Sequence, residues 1–560
     1  MVRTGLFRTV FIAGLILLLT GFTGTLRAQL NQGGVPPSTL FSLAADKVPT
    51  MTLQVPDAAQ LNREDEENPS PYRFAVILPA DISPATGGAW TDLPGGGRIW
   101  RIRVTVPGAL ALSAYFDRFR IPAGGQLFLY NEDKSRVLGA YTGIDNSSEG
   151  LFAAELVKGE SLVLEYVQPE ASREEPLLHL NGIAYAYRGV DWMYPEWQPQ
   201  GQAGACEVNV KCMEGDNWKK QVRGVVRIQV RRLGSLYWCS GSVVNDVPCD
   251  HLPYVLTADH CGNGASASDI QQWIFYFNFE SPYCPNPPVP PVPNSMTGAV
   301  LKAHGGNSGN TGSDFFLVLL NESIPDSFAV YYNGWNRKDT TSPSGVGIHH
   351  PQGDIKKIST YTTNLISSVW SGGTLKSHWK VVWSPTVNGH GVTEGGSSGS
   401  PIFDDRGRIV GTLTGGDSDC DTNSLNLPDY YGKFSWSWAS NGNDSTTRLK
   451  DWLDPGNTGM WVLDGTALSA GPPLQAGSGL KVYPNPFGNT LTVETGDFTG
   501  ERLHISILDL LGIPCFEKEY NSPPGNSLTL DPGDLPEGIY VLQVSDGRKM
   551  ESQKIVRQKR

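Results

Sequence analysis

The chain has 560 residues, too many for one hydrophobic core, and its length suggests three or four domains. Its 44 Lys+Arg against 56 Asp+Glu leave a net charge of −12, which gives no electrostatic footprint for nucleic acid. With 64 glycines, 40 prolines, 10% aromatic residues and few long helical periodicities, the composition reads as turn-rich, all-β structure.

Residues 1–28 read as a secretory signal. Arg3 and Arg8 supply the positive start, Val10 to Leu19 an apolar run short for a bilayer span of about 20 residues, and Leu26-Arg-Ala28 a cleavage site. No other segment could span a membrane, so no transmembrane segment is expected once the signal is removed. Residues 29–200 contain no cysteine. Trp100-Arg-Ile-Arg-Val-Thr-Val106 puts Trp100, Ile102, Val104 and Val106 on one strand face, and Leu127–Tyr130 and Ser161–Val167 repeat the type between turns. This predicts a small β-sandwich: a carbohydrate- or partner-binding module, or, lying between an export signal and a cysteine-bearing segment, a prodomain over an active-site cleft. Trp197–Ala205 reads as a linker, and seven of the eight cysteines lie between 206 and 420, which fits an oxidising destination.

Three motifs in the next segment carry chemistry. Leu256-Thr-Ala-Asp-His-Cys261 is an apolar strand ending in His260, Gly312–Leu320 places Asp314 at the entrance of another, and Thr393-Glu-Gly-Gly-Ser-Ser-Gly-Ser-Pro401 sets hydroxyls among small residues that let a carbonyl approach. The first motif and the order His, Asp, Ser resemble the chymotrypsin-like serine peptidases. That resemblance makes His260 the base, Asp314 its orienting acid, Ser398 the nucleophile, and the amides of Gly396 and Ser398 the oxyanion donors. Gly395-x-Ser397-x-Gly399 also fits the nucleophile elbow of α/β-hydrolases, which needs a helix after the serine and a later histidine. Here two strands around a turn come next, and the only later histidine, His504, belongs to another module.

Cys206–Asp216, Trp335, Gly347–Ser359 and Thr393–Pro401 together look like the lysyl endopeptidases, over residues 201–465. The resemblance implies a trypsin-like double β-barrel and the bridges Cys206–Cys420, Cys212–Cys284 and Cys239–Cys261, with Cys249 and Cys515 as possible free thiols. It also implies a substrate strand ending in Gly415-Gly416 and, in Asp429-Tyr-Tyr-Gly-Lys433, the acid at the base of the S1 pocket, where a substrate ammonium would relieve a buried carboxylate. At Thr414 the chain departs from the best-known members, which carry histidine.

His349 and His350 are adjacent, point to opposite sides of a strand and so cannot share a metal; a structural role is expected. His304, His378 and His390 show no ligand spacing, so neither metal nor cofactor is expected. Where trypsin-like enzymes pair an aspartate with a freed N-terminus, this chain has Ser397, so activation is expected from removal of the prodomain. No Lys or Arg lies between Arg188 and Lys211, so maturation is expected to use another protease or a cut at Arg188.

Leu449, Trp452 and Leu453 share a helical face before Pro455, which resembles the fold's C-terminal helix. Residues 466–479 are a second linker. In 480–560, Val482–Phe487, Ile505–Asp509, Gly538–Val544 and a basic tail look like a C-terminal sorting domain of the type IX secretion system, a β-sandwich read by the outer-membrane machinery; that predicts export through the periplasm to the medium or cell surface. The expectation is a secreted endopeptidase that cuts protein or peptide substrates after lysine. The alternatives are cleavage after Arg or after both, and an inactive homologue acting as an adhesin or binding module.

Overall fold

In the computed structural model, the described residues are 34–194, 203–467 and 481–558, apart from 45–46, 95, 173, 290, 422, 496–497, 499–501, 509–513, 522–526, 534 and 547–549. The expected signal, most of the linker Trp197–Ala205 and most of the second linker lie outside them. Among the described residues no helix is long and apolar enough to cross a membrane.

The chain is all-β. Its first part is two layered. One sheet contains Thr50–Thr52, Arg98–Thr105, Ser161–Gln168, Gln126–Tyr130 and Val137–Tyr141, with Ala89–Asp92 on its side. The facing layer is Tyr72–Ile82, Leu177–Ala186 and Ala111–Arg120 with two short strands. The alternating side chains Trp100, Ile102, Val104 and Val106 all enter the core between the layers. The facing layer does not end at the expected boundary: Tyr72–Ile82 pairs antiparallel with Ser235–Val243, so one 12-stranded sheet runs from the first part into the second.

From residue 225 that sheet curls through Val225–Arg232, Ser235–Val243, Tyr254–Thr257, Phe315–Leu320 and Ala299–Gly305, flanked by Ile274–Phe277 and Asn294–Thr297. Its core holds Val226, Ile228, Trp273, Phe275 and Phe316. A second, nine-stranded sheet holds Gly345–His349, Lys357–Tyr361, Pro401–Phe403, Ile409–Gly416, Asp429–Lys433 and His378–Val381. Between the two sheets lies another apolar cluster that includes Leu256, Phe315, Leu317, Ile348, Phe403, Leu449 and Leu453. The last two come from the expected C-terminal helix, Lys450–Leu453 with Leu449 at its N-cap, which stops before Pro455. Residues 481–558 form a three-stranded and a four-stranded sheet around their own core of Leu491, Val493, Ile505, Ile507, Leu542 and Val544.

All three expected bridges are present: Cys206–Cys420, Cys212–Cys284 and Cys239–Cys261, while Cys249 and Cys515 stand outside them. The last bridge ties the turn carrying His260 to the neighbouring strand across 22 residues of sequence. A closed loop of that size is worth about 3 kcal/mol by chain entropy. Replacing both Cys239 and Cys261 by alanine should lower the unfolding free energy by about that amount in urea melts, and an unchanged midpoint would contradict the role given to this bridge.

Candidate active site

The strand Tyr254–Thr257 ends in a single helical turn, Asp259–Gly262, that turns His260 across the end of the first barrel. Asp314 lies just ahead of Phe315–Leu320, the strand paired with Tyr254–Thr257, so the two residues become neighbours through sheet register. His260 Nδ1 donates to Asp314 Oδ2 at 2.7 Å, and the His260 amide donates to Oδ1 at 2.9 Å. Asp314 has no solvent exposure. Burial alone would push its carboxyl up, but the charge and hydrogen bonds of His260 outweigh it and hold the group below its ordinary value. Asp314 adopts φ +58°, a conformation costly for a side-chain-bearing residue and one that the surrounding contacts must offset. His260 Nε2 is buried and makes no hydrogen bond among the described residues.

Ser398 comes from the second barrel. Its carbonyl accepts from the amide of Ser240 at 2.8 Å and lies 3.8 Å from Cys261 Sγ, next to His260. The structure therefore brings the three predicted triad residues to one junction, with no hydrogen bond yet joining Ser398 Oγ to the imidazole. In an unliganded site such a bond is often long and tightens only with substrate.

The loop before Ser398 is anchored carbonyl by carbonyl. Ser240 Oγ donates to the Gly396 carbonyl and the Gln352 amide to that of Gly395. Because a peptide is planar, fixing the Gly395 carbonyl turns the Gly396 N–H the other way. Gly396 sits at φ +92°, and a Cβ there would press on the backbone of Gly353 and Gln352, so glycine is required. Neither the Gly396 nor the Ser398 amide donates to another group among the described residues, leaving two donors for an oxyanion.

Asp429 begins the strand beside Gly415 and Gly416. It is 1% exposed and is ringed by neutral donors: Trp383 Nε1 at 2.6 Å, Ser418 Oγ at 2.6 Å and Thr393 Oγ1 at 2.8 Å. Burial pushes its carboxyl up to about 6 against the pull of these bonds. A Cβ on Gly416 would overlap its Oδ1, so that position must stay glycine for the acid to fit. Among the described residues no group of three or more metal-ligand side chains occurs.

Sequence reasoning missed several neighbours. The Trp370 ring lies over Gly415, and His378 Nε2 accepts from Thr414 Oγ1 at 3.0 Å. An imidazole from two strands away, across Asp429–Lys433, thus approaches the position where the resembling enzymes carry histidine in place of Thr414. Glu394 accepts from the Gly204 amide at 3.1 Å and from Gln352 Nε2 at 3.1 Å. Glu207 is buried behind the loop, where burial keeps its carboxyl well above the ordinary value. Trp383 and Ser418 carried no motif of their own, and Thr393 was read only as the start of the serine motif, because a neutral donor to a buried acid leaves no spacing signature. His304 pairs with Asp259 and His350 with the Asp354 carbonyl, both away from any ligand-like cluster.

Residues 200–432 match the family described as lysyl endopeptidase, C-terminal domain, and residues 481–558 that described as secretion system C-terminal sorting domain. A lysyl endopeptidase of Pseudomonas aeruginosa is 26% identical over 362 residues, spanning 62% of this chain and 75% of that one. Among solved structures, the protease Anisep from Arthrobacter nicotinovorans is similar at 20% identity and TM-score 0.28, over 38% of this chain and 90% of its own. A Glu endopeptidase is similar at 15% identity and TM-score 0.25, over 41% of this chain and 92% of its own. The chain is an exported serine endopeptidase. More particularly, it is a lysyl endopeptidase-like protease that carries a type IX secretion sorting tail.

The environment of Asp429 fixes a sign for stability. Its native pKa of about 6 lies above the ordinary 3.8, so the folded state holds a proton that the unfolded state has already lost between those values. Stability conferred by the protonated acid is complete below the lower value and is lost as pH rises to the upper, about 3 kcal/mol in all. Urea melts from pH 4 to 7 should show that decline in the parent chain relative to Asp429→Asn; parallel curves would contradict it.

Proposed function

We propose that this endopeptidase cleaves after lysine through a Ser398–His260–Asp314 triad. The observation that carries the reading is the buried His260–Asp314 pair, adjoining a loop whose Gly396 and Ser398 amides are unclaimed among the described residues. Ser398 Oγ attacks the scissile carbonyl, His260 takes its proton and returns it to the leaving amine, and Asp314 holds the imidazole tautomer. The Gly396 and Ser398 amides stabilise the charge that develops on the carbonyl oxygen. Specificity follows from Asp429: its ring of neutral donors supplies no positive charge, so a lysine ammonium satisfies it where an apolar side chain does not.

The domain reading belongs to the same proposal: residues 29–200 are a prodomain, 201–465 the protease and 480–560 the sorting domain. In support, Tyr72 packs so closely on Gly395 that a Cβ there would lie 2.7 Å from its ring, which sets the N-terminal region against the back of the oxyanion loop. Maturation requires another protease or a cut at Arg188, whose guanidinium pairs with Asp65 at 3.1 Å and covers the Tyr72 ring.

Replacing Ser398 by alanine should lower turnover of a lysyl ester by about a million-fold, and a phosphonate should label Ser398 of the parent. Paired Lys and Arg peptides decide specificity: Lys cleavage should dominate and collapse in Asp429→Asn, whereas equal or greater Arg cleavage would overturn the lysine assignment. Export tests the tail. Deleting the last strand, Met550–Arg557, and the residues after it should leave the protein in the periplasm, and undiminished secretion of the truncated chain would defeat the sorting assignment.

A further inference from the structure

His349 lies at the end of Gly345–His349 with no exposure, and its two ring nitrogens have different partners. Nδ1 is 2.8 Å from Ser397 Oγ, and Nε2 is 2.9 Å from Ser359 Oγ. The direction of each bond follows from the outer partners. Ser359 Oγ donates to the Val392 carbonyl at 2.7 Å, so it accepts from Nε2–H. Nδ1 is then the bare nitrogen and accepts from the Ser397 hydroxyl, whose oxygen accepts in turn from the Glu394 amide at 3.3 Å. Every proton in the chain Glu394 N–H, Ser397 O–H, Nδ1, Nε2–H, Ser359 O–H, Val392 carbonyl has one place to go. Burial supports a neutral ring, pushing its pKa down to about 3. Glu207 lies 3.9 Å from Nε2, and burial pushes its carboxyl well above the ordinary value.

The chain of bonds pins Val392, Glu394 and Ser397, three points on the segment that shapes the site. The next residue after His349 reinforces it, since the His350 amide donates to the same Ser240 hydroxyl that holds the Gly396 carbonyl. Trypsin-like enzymes stabilise the position before the nucleophile by an ion pair. Here no ion is needed, and these bonds are present with the N-terminal region still attached.

We infer that neutral His349 is a positioning residue that holds the oxyanion loop in its working shape through the Ser397 hydroxyl, so that the oxyanion site is built before any new N-terminus is released. The inference rests on the proposed role of Ser398. It adds that the loss of His349 is felt in the transition state and not in lysine binding.

The test uses the secreted enzyme and two peptide probes: a tripeptide lysinal, whose aldehyde forms an oxyanion-bearing adduct, and the matching lysinol, which cannot. His349→Ala, and separately Ser397→Ala, should each lower kcat about a hundred- to a thousand-fold, the range for a lost oxyanion donor. KM should stay within about threefold. Lysinal affinity should fall in step with kcat while lysinol affinity holds, and the double variant should be no worse than either single one, because the two residues act as a unit. Losses that multiply, losses confined to KM, or kcat and lysinal affinity within about tenfold of the parent would each overturn the inference. Should the substitutions prevent folding, nitrogen-15 NMR of histidine in Ser398→Ala decides the matter. The His349 ring should be the Nε2–H tautomer and should not titrate across roughly pH 5 to 8; the opposite tautomer, or a titration in that range, would refute it. A parent enzyme that does not bind lysinal fails the triad reading itself, which the tautomer result does not touch.

Discussion

Asp314, a carboxylate without access to water, lies 2.7 Å from the imidazole of His260, and the rest of the protease is arranged around that contact. A buried charge without a partner costs several kcal/mol, so the pair persists only where its surroundings hold both groups in register. The register comes from adjacent strands of one barrel, and a disulfide fixes the turn that bears His260. The second barrel meets this pair through the Ser240 amide and the Ser398 carbonyl, a backbone bond across the junction. In the proposed mechanism, the triad therefore depends on one strand pairing, one disulfide and one backbone bond across the junction.

The second carboxylate follows different logic. Asp314 has a partner that can carry positive charge, and Asp429 has neutral donors alone. The same burial therefore leaves one acid lowered and the other raised. In the proposed reading, an acid that the protein satisfies only with neutral donors is the one a cationic substrate side chain would meet. Before the proposed nucleophile the arrangement differs again: His349 Nδ1 lies 2.8 Å from Ser397 Oγ, at the position where trypsin-like enzymes place an ion pair.

Much of this was legible in the residues. His260, Asp314 and Ser398 announced themselves because each sits beside a strand end with fixed neighbours, and the structure brings all three to one junction. The alternation of Trp100, Ile102, Val104 and Val106 correctly gave one core face. What could not be read was contact between distant segments. The pairing of Tyr72–Ile82 with Ser235–Val243 merges two regions that composition separates, and no periodicity reports which edge a strand will choose. His349 is buried with a hydrogen bond at each ring nitrogen, but its link to Ser397 across 48 residues has no local signal. Likewise His378 reaches Thr414 from another strand, a contact visible only after folding.

The most direct measurement is a crystal structure of the secreted enzyme after reaction with a peptidyl lysine phosphonate. The account predicts phosphorus bonded to Ser398 Oγ, a phosphonyl oxygen within hydrogen-bond distance of the Gly396 and Ser398 amides, and the lysine ammonium beside Asp429. An adduct on another residue, or a lysine side chain lying outside the Asp429 slot, would contradict it.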